Sequence, residues 1–154
     1  MTSPRYDAVL LLGFGGPESR EEVLPFLERV TAGRNVPKER LAEVAEHYHA
    51  LGGKSPINEQ NRALAAALEE ALRARGIDLP VRLANRNSPP FIVDVLRELA
   101  AEGATRLLAV ITSAFSSFSG CRQYLDAVEQ AREELGEGAP VVDKTRTFFN
   151  HPLF

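Results

Sequence analysis

The sequence predicts an α/β domain in which a parallel sheet carries helices on both faces. Short continuous apolar runs, typical of strands buried on both sides, alternate with longer segments of helical periodicity. Parallel neighbours need a crossover helix between them, so this order favours a Rossmann-like, flavodoxin-like sheet of four strands. Because 44% of the 154 residues are hydrophobic and no linker or repeat interrupts them, we expect one domain over residues 1–154.

Turn and capping signals delimit the first strand and the three helices after it. Residues 8–12 form the first apolar run. The letters SREE then match a capping box, in which Ser19 and Glu22 would satisfy the first backbone N–H groups of a helix. A second helix is expected over 38–50, and a third over 56–76.

Three further strands alternate with two helices in the second half of the sequence. The apolar runs at 81–84 and 106–111 are the second and third strands, and 91–101 is the helix between them. Residues 119–135 are expected to be helical and to end at a glycine, and 141–142 begin the fourth strand.

The composition argues against several classes of protein. The formal charge of -3 is spread along the chain without a basic stripe, so we expect no nucleic-acid partner. Cys121 is the only cysteine, which excludes an intrachain disulfide and a cysteine cluster for zinc or iron–sulfur. There is no signal-peptide pattern, and no apolar run approaches the roughly 18 residues that span a membrane. These features predict a cytoplasmic protein without a membrane span.

In an open parallel sheet, ligands bind beyond the carboxyl ends of the strands, which here carry the loops GFGGPE, NRNSPP and TSAFSSFSG. The first loop is not a dinucleotide fingerprint, because the third glycine of that motif would fall at Glu18. It also lacks the lysine of a phosphate-binding loop. Two interpretations remain: a tight glycine turn with Phe14 in the core, or a turn that directs Phe14 into a cleft.

The other two loops carry aromatic and polar side chains. Phe115 and Phe118 alternate with hydroxyls that include Ser116, which is typical either of a pocket for a flat apolar ligand with polar edges or of a serine-rich helix start. Asn85 and Arg86 offer hydrogen bonds and a positive charge to a carboxylate, or else satisfy backbone groups of their own loop.

Catalytic and metal-binding patterns are missing from the sequence. His47 and His49 are two residues apart on a predicted helix, so they point to different faces rather than forming a zinc-binding pair. Cys121 has no histidine near it in sequence, so nothing indicates a nucleophilic dyad. We therefore expect no catalytic residue, metal ligand or cofactor site in this chain.

Six segments occur in the order and spacing of one family: LLLGFGGPE, FLERVTAGRNVP, AEHYHALGGKSPIN, NRNSPPF, TSAFSSFSGCRQY and VDKTRTFFNHPLF. In these the chain resembles the ferrochelatases, and most closely the actinobacterial coproporphyrin III ferrochelatases. The resemblance implies insertion of ferrous iron, as a substrate, into coproporphyrin III during haem biosynthesis. Members are about twice this long, with two similar halves around a porphyrin cleft, so 1–154 would be the N-terminal porphyrin-binding half. The C-terminal half would be its partner.

The resemblance also implies roles for individual residues. Phe14 stands where some relatives carry an iron-ligating tyrosine, and a phenylalanine has no oxygen to offer. Ser55 and Tyr124 match positions that contact the porphyrin carboxylates and edge. The family's metal-inserting histidine and its acidic partner belong to the C-terminal half. The predicted porphyrin-binding residues are Phe14, Ser55, Asn85, Arg86, Phe115, Ser116 and Tyr124.

The aromatic tail TRTFFNHPLF predicts an exposed apolar face. Such a face would pack against the C-terminal half or promote self-association. Pro152 stands at a plausible first turn of a new helix. We expect either that the chain is the first part of a longer protein or that its tail packs back on the sheet. The alternative function is that of a stand-alone flavodoxin-like module that binds a tetrapyrrole or flavin without catalysis.

Overall fold

The computed structural model describes residues 5–115, 117 and 121–154 and contains a four-stranded sheet whose paired strands are all parallel. The strands are β1 (Ala8–Gly13), β2 (Val81–Asn85), β3 (Arg106–Ile111) and β4 (Val141–Lys144). The helices are α1 (Arg20–Val30), α2 (Lys38–Ala50), α3 (Ile57–Arg73), α4 (Ile92–Ala101) and α5 (Gln123–Leu135). The sheet order β2-β1-β3-β4 is flavodoxin-like, so the predicted fold class is confirmed.

The central strand explains why helices cover both faces of the sheet. All six residues of β1 are buried, and successive side chains of a strand point to opposite faces. Leu10 and Leu12 pack in the cluster that includes residues of α4 and α5, whereas Val9 and Leu11 pack with residues of α3. The apolar stripes of α1 and α2 form a third, smaller cluster with each other.

Most predicted elements are confirmed, but the capping box is wrong. The side chain of Ser19 makes no capping bond to the backbone of α1. It bonds to the Glu21 carboxylate instead, and Glu22 Oε2 accepts from the backbone N–H of Glu18 at 2.8 Å. The motif is therefore present, but neighbouring acidic side chains compete for its partners.

The tail does not begin a helix near Pro152, because residues 145–154 contain only turns and irregular backbone. The backbone N–H of Phe149 donates to the carbonyl of Ala114 at 3.1 Å, so the tail returns to the loop after β3. Within the part of the chain that the structure describes, no helix has the length and apolar content to cross a membrane.

Candidate functional site

A cleft of about 380 Å³ lies at the carboxyl ends of the central strands. Its walls come from the three loops after β1, β2 and β3, from the end of α1 with the turn that follows it, and from the first residues of α5. The residues that line it include Phe14, Arg34, Arg86, Ser113, Gln123 and Tyr124. The cleft therefore lies where an open parallel sheet is expected to bind a ligand.

Phe14 faces this cleft, and the flanking glycines explain how. The residue is 37% exposed, and its ring meets the ring of Phe26 edge-on, with centroids 6.1 Å apart. Gly15 has a φ of 86°, and a Cβ there would lie 2.5 Å from the hydroxyl of Ser88. The turn thus requires glycine for both its backbone angle and its close packing, and it still directs Phe14 into the cleft.

Arg86 joins two aromatic walls of the cleft. Its guanidinium lies 5.9 Å from the ring centroid of Phe14 and 5.1 Å from that of Tyr124, within cation–π range. Its Nη1 also donates to Gln123 Oε1 at 3.2 Å. The guanidinium is thereby held in position while remaining positively charged at any physiological pH.

Tyr124 lies deeper in the same wall and is only 5% exposed. Burial raises the pKa of its phenol, against the opposing effects of the Arg86 charge and a hydrogen bond with Thr112. The hydroxyl therefore stays protonated at neutral pH, so it is able to donate a hydrogen bond and is not available as a phenolate base.

A buried amide network fixes the glycine loop from below. Asn58 Nδ2 donates to the carbonyl of Gly16 at 2.9 Å and to Ser88 Oγ at 3.2 Å. Ser88 Oγ in turn accepts the N–H of Gly16 at 3.0 Å. Neither Asn58 nor Ser88 was predicted from the sequence. The only available signal was their place in the motifs GGKSPIN and NRNSPP, because no periodicity marks a buried amide.

Asn85 belongs to this network rather than to the cleft lining. It is fully buried, and its Nδ2 donates to Asn58 Oδ1 at 3.0 Å and to the carbonyl of Pro89 at 3.2 Å. Its Oδ1 has no partner in the structure. Its contacts therefore favour the interpretation that Asn85 stabilises the loops and does not contact a ligand directly.

Ser55 also lies outside the lining of the cleft. Its backbone N–H donates to the carbonyl of Pro17 at 2.8 Å, and its Oγ accepts from the N–H of Ile57 at 3.4 Å. A Cβ on Gly16 would lie 2.7 Å from the Cβ of Ser55, so the half-buried serine packs directly against the glycine loop.

Phe115 lies on the other side of the site and is 60% exposed. Its ring stacks on Phe149 at 6.1 Å and meets Phe154 edge-on at 5.9 Å. Ser116, predicted as its neighbour in the site, lies outside the described residues. The structure thus brings Phe14, Arg86 and Tyr124 together in one cleft, while Phe115 belongs to a separate aromatic group.

The described lining of the cleft is positive. It contains the guanidiniums of Arg34 and Arg86 and no carboxylate or imidazole. The nearest acid in the glycine loop, Glu18, pairs with Arg62 of α3, whose hydrogen bond keeps the pKa of that carboxyl low. Within residues 5–115, 117 and 121–154, no group of three or more His, Cys, Asp or Glu side chains is arranged to hold a metal ion. This arrangement suits a flat ligand with anionic groups.

Comparison with known proteins identifies the family. The ferrochelatase family model matches residues 6–154. A ferrochelatase of Rhodopirellula baltica is 58% identical over 151 residues, which cover 98% of this chain and 43% of that protein. The coproporphyrin III ferrochelatases of Leifsonia xyli subsp. xyli and Streptomyces coelicolor are 57% and 53% identical, over 97% of this chain and 39% and 40% of theirs. The chain thus spans about two fifths of the length of these relatives. The resemblance of its motifs is confirmed: the chain belongs to the ferrochelatase family.

Proposed function

We propose that this chain forms one wall of the porphyrin cleft of a coproporphyrin III ferrochelatase, a lyase that inserts ferrous iron during haem biosynthesis. The observation that carries the proposal is the cleft itself, in which aromatic rings and guanidiniums meet without a carboxylate among the described lining residues. A porphyrin is a flat apolar macrocycle with carboxylates at its edge, so it needs both kinds of contact.

Within this proposal, the residues of the site divide by position. Phe14 packs on the macrocycle, while Arg86 and the Tyr124 hydroxyl serve its carboxylate edge. Ser55 and Phe115 extend the contact surface along the same edge of the sheet. Ser116, which lies outside the described residues, stays a predicted porphyrin contact. Asn85 acts through its loop, since its amide is occupied by Asn58 and Pro89.

The chemistry of insertion explains why this wall would not suffice alone. Iron replaces two pyrrole N–H protons, so two protons must leave as the hydrated ferrous ion sheds water and gains four nitrogen ligands. Removing those protons requires a base. A protonated phenol and two guanidiniums cannot serve as one, and Phe14 has no oxygen to bind iron. We therefore assign the base to a C-terminal half, with this chain supplying substrate binding.

Porphyrin binding gives the first test. The quenching of coproporphyrin III fluorescence is titrated with the 154-residue chain, with Arg86→Gln and with Arg82→Gln, which changes an exposed arginine of β2 four residues before Arg86. We expect the chain to bind weakly, Arg86→Gln to bind about tenfold more weakly and Arg82→Gln to bind normally. Absence of binding by the unaltered chain would contradict the proposed cleft.

Turnover gives the second test. Ferrous iron and coproporphyrin III are mixed anaerobically with the chain, and then with the chain plus the separately expressed C-terminal part of the Rhodopirellula baltica relative. We expect iron insertion only in the second mixture, because groups that act as a unit lose most of their rate enhancement when one is missing. Turnover by the chain alone would show that the chemistry lies in this wall. Binding without turnover in either mixture would favour the stand-alone binding module.

A further inference from the structure

Arg34 stands out among the arginines of the chain. Eight arginines form ion pairs with carboxylates, and most of these pairs lie on exposed helix surfaces. Neither Arg34 nor Arg86, the two arginines that line the cleft, forms such a pair within the described part of the chain. The chain as a whole has a formal charge of -3, so the positive charge of the cleft is opposite in sign to the net charge of the chain.

The two cleft arginines differ in how they are held. Arg86 is half-buried and is fixed by Gln123 and by the rings of Phe14 and Tyr124. Arg34 is exposed, and its side chain makes no hydrogen bond or ring contact to any residue that the structure describes. Its guanidinium therefore keeps all five donors for a ligand.

A tight turn fixes the point at which the Arg34 side chain leaves the backbone. The N–H of Arg34 donates to the carbonyl of Thr31 at 3.0 Å, just beyond the last residue of α1. Gly33 before it has a φ of 77°, and Asn35 after it has a φ of 51°, which a residue other than glycine seldom adopts. The backbone around Arg34 is thus specified on both sides, which holds the arginine at the rim of the cleft.

We propose that Arg34 is a specificity-determining residue that binds a carboxylate of the substrate at the rim of the cleft. The inference rests on the proposed function and adds Arg34 to Arg86 and Tyr124 as a further group that contacts the substrate's anionic edge. A guanidinium forms two parallel N–H···O bonds to a carboxylate, a geometry that a neutral amide or ester of the same substrate cannot match. Arg34 thereby makes affinity depend on the charge of the porphyrin side chains.

The competing explanation is that Arg34 only stabilises the end of α1. A cation beyond a helix C-terminus interacts favourably with the helix dipole. Arg75 is the matched case: it follows the C-terminus of α3, it is exposed, and it precedes Gly76, whose φ of 75° resembles that of Gly33. Its Nη1 donates to the carbonyl of Ala71 at 3.2 Å, far in sequence from the cleft loops.

The experiment compares Arg34→Gln with Arg75→Gln in the full 154-residue chain. Fluorescence titrations use coproporphyrin III, which has four carboxylates, and its tetra-amide, which has the same macrocycle without charge. Thermal unfolding of each variant is recorded alongside. We expect Arg34→Gln to weaken coproporphyrin III binding about tenfold, to leave tetra-amide binding unchanged and to make the coproporphyrin affinity less sensitive to salt.

Each other outcome overturns the assignment in a distinct way. Arg34→Gln could weaken the binding of both ligands equally, or it could leave both affinities unchanged while the unaltered chain binds. Either result shows that Arg34 does not recognise the carboxylate, and it leaves the proposed function intact. A lowered midpoint of thermal unfolding with unchanged affinity assigns Arg34 to α1. Failure of the unaltered chain to bind either ligand overturns the proposed function together with this inference.

Discussion

The two edges of the sheet satisfy their backbone groups with opposite chemistry. At the amino edge, carboxylates accept from the first N–H groups of the strands. Asp7 Oδ2 accepts from the N–H groups of Thr105 and Arg106 at 2.8 and 3.0 Å, and Glu69 Oε2 accepts from that of Val81 at 2.8 Å. These bonds lower the pKa of both carboxyls. Carboxylates thus satisfy the backbone N–H groups at the starts of β2 and β3.

At the carboxyl edge, neutral side chains form the hydrogen bonds that hold the loops. The side chains of Asn58, Asn85 and Ser88 tie the glycine loop to the start of α3 and to the loop after β2. An amide both donates and accepts, so it joins loops without adding charge. Arg34 and Arg86 form no ion pair with a carboxylate of the described residues, so the cleft at this edge is positive. The difference teaches that the amino edge holds its strands with carboxylates, whereas the carboxyl edge holds its loops with neutral groups that would not repel an anionic ligand.

The largest expected effect is the loss of the amide network at the carboxyl edge. Asn58→Ala removes two donated bonds and leaves the buried Nδ2 of Asn85 without one acceptor. We expect the free energy of unfolding to fall by about 3 kcal/mol, since buried polar groups lose their partners. Urea denaturation measures this.

The control for Asn58→Ala is Gln60→Ala, an exposed residue two positions later in α3, for which we expect a change within about 0.5 kcal/mol. Equal effects of the two substitutions would mean that the carboxyl edge does not depend on its amides.

A pH titration separates the amino edge from the carboxyl edge. The backbone hydrogen bonds from Thr105 and Arg106 lower the pKa of Asp7 below its ordinary value of 3.8. The stability that Asp7 contributes is therefore fully present above pH 3.8 and is lost as the pH falls through the lowered value. We expect Asp7→Asn to be less stable than the unaltered chain at pH 7 and the gap to narrow in acid.

The measurement is urea denaturation at a series of pH values. Asp78→Asn is the control, because Asp78 is an exposed aspartate ahead of β2 that accepts no hydrogen bond from the described residues. If the difference in free energy of unfolding between Asp7→Asn and the unaltered chain stays constant down to strongly acid pH, the charge of Asp7 does not stabilise the amino edge.

The strands and helices could be predicted because each carries its own periodic signal. The β1 run is apolar throughout since both faces are buried, and the predicted bounds of α2 and β3 coincide with those observed. The capping box at Ser19 failed because a motif specifies which groups are available and not which neighbour, here Glu21, reaches them first. Local competition of this kind leaves no trace in periodicity.

The site could be predicted only in part, for a similar reason. Phe14 was detectable because flanking glycines leave a ring uncovered, and Tyr124 came from the resemblance of its motif. Asn85 has the same side chain whether it binds a ligand or a loop, and only its contacts with Asn58 and Pro89 distinguish the two. Arg34 is one arginine in a turn, so its position in the cleft depends entirely on the folded chain.

The smallest expected effect on stability concerns the part of the carboxyl edge that the amides do not reach. There Phe115, Phe148, Phe149 and Phe154 form ring contacts while remaining at least 36% exposed, and Leu153 beside them is 92% exposed. We call these five residues the aromatic tail cluster. An apolar patch of this kind favours association, and we predict that the chain self-associates through it at high concentration. Leu153→Ser should change the free energy of unfolding by less than about 0.5 kcal/mol, because so exposed a side chain buries little area.

Sedimentation velocity over a concentration series tests this prediction of self-association. Leu153→Ser should shift the chain toward monomer and reduce the fluorescence of an apolar dye, because it places a hydroxyl in the patch. Leu51→Ser is the matched control, since Leu51 is 84% exposed and lies outside the aromatic tail cluster. A chain that is monomeric at every concentration and binds no dye would contradict the prediction, because the aromatic tail cluster would then not act as an exposed apolar patch. Association that Leu51→Ser weakens equally would show that it does not use the aromatic tail cluster.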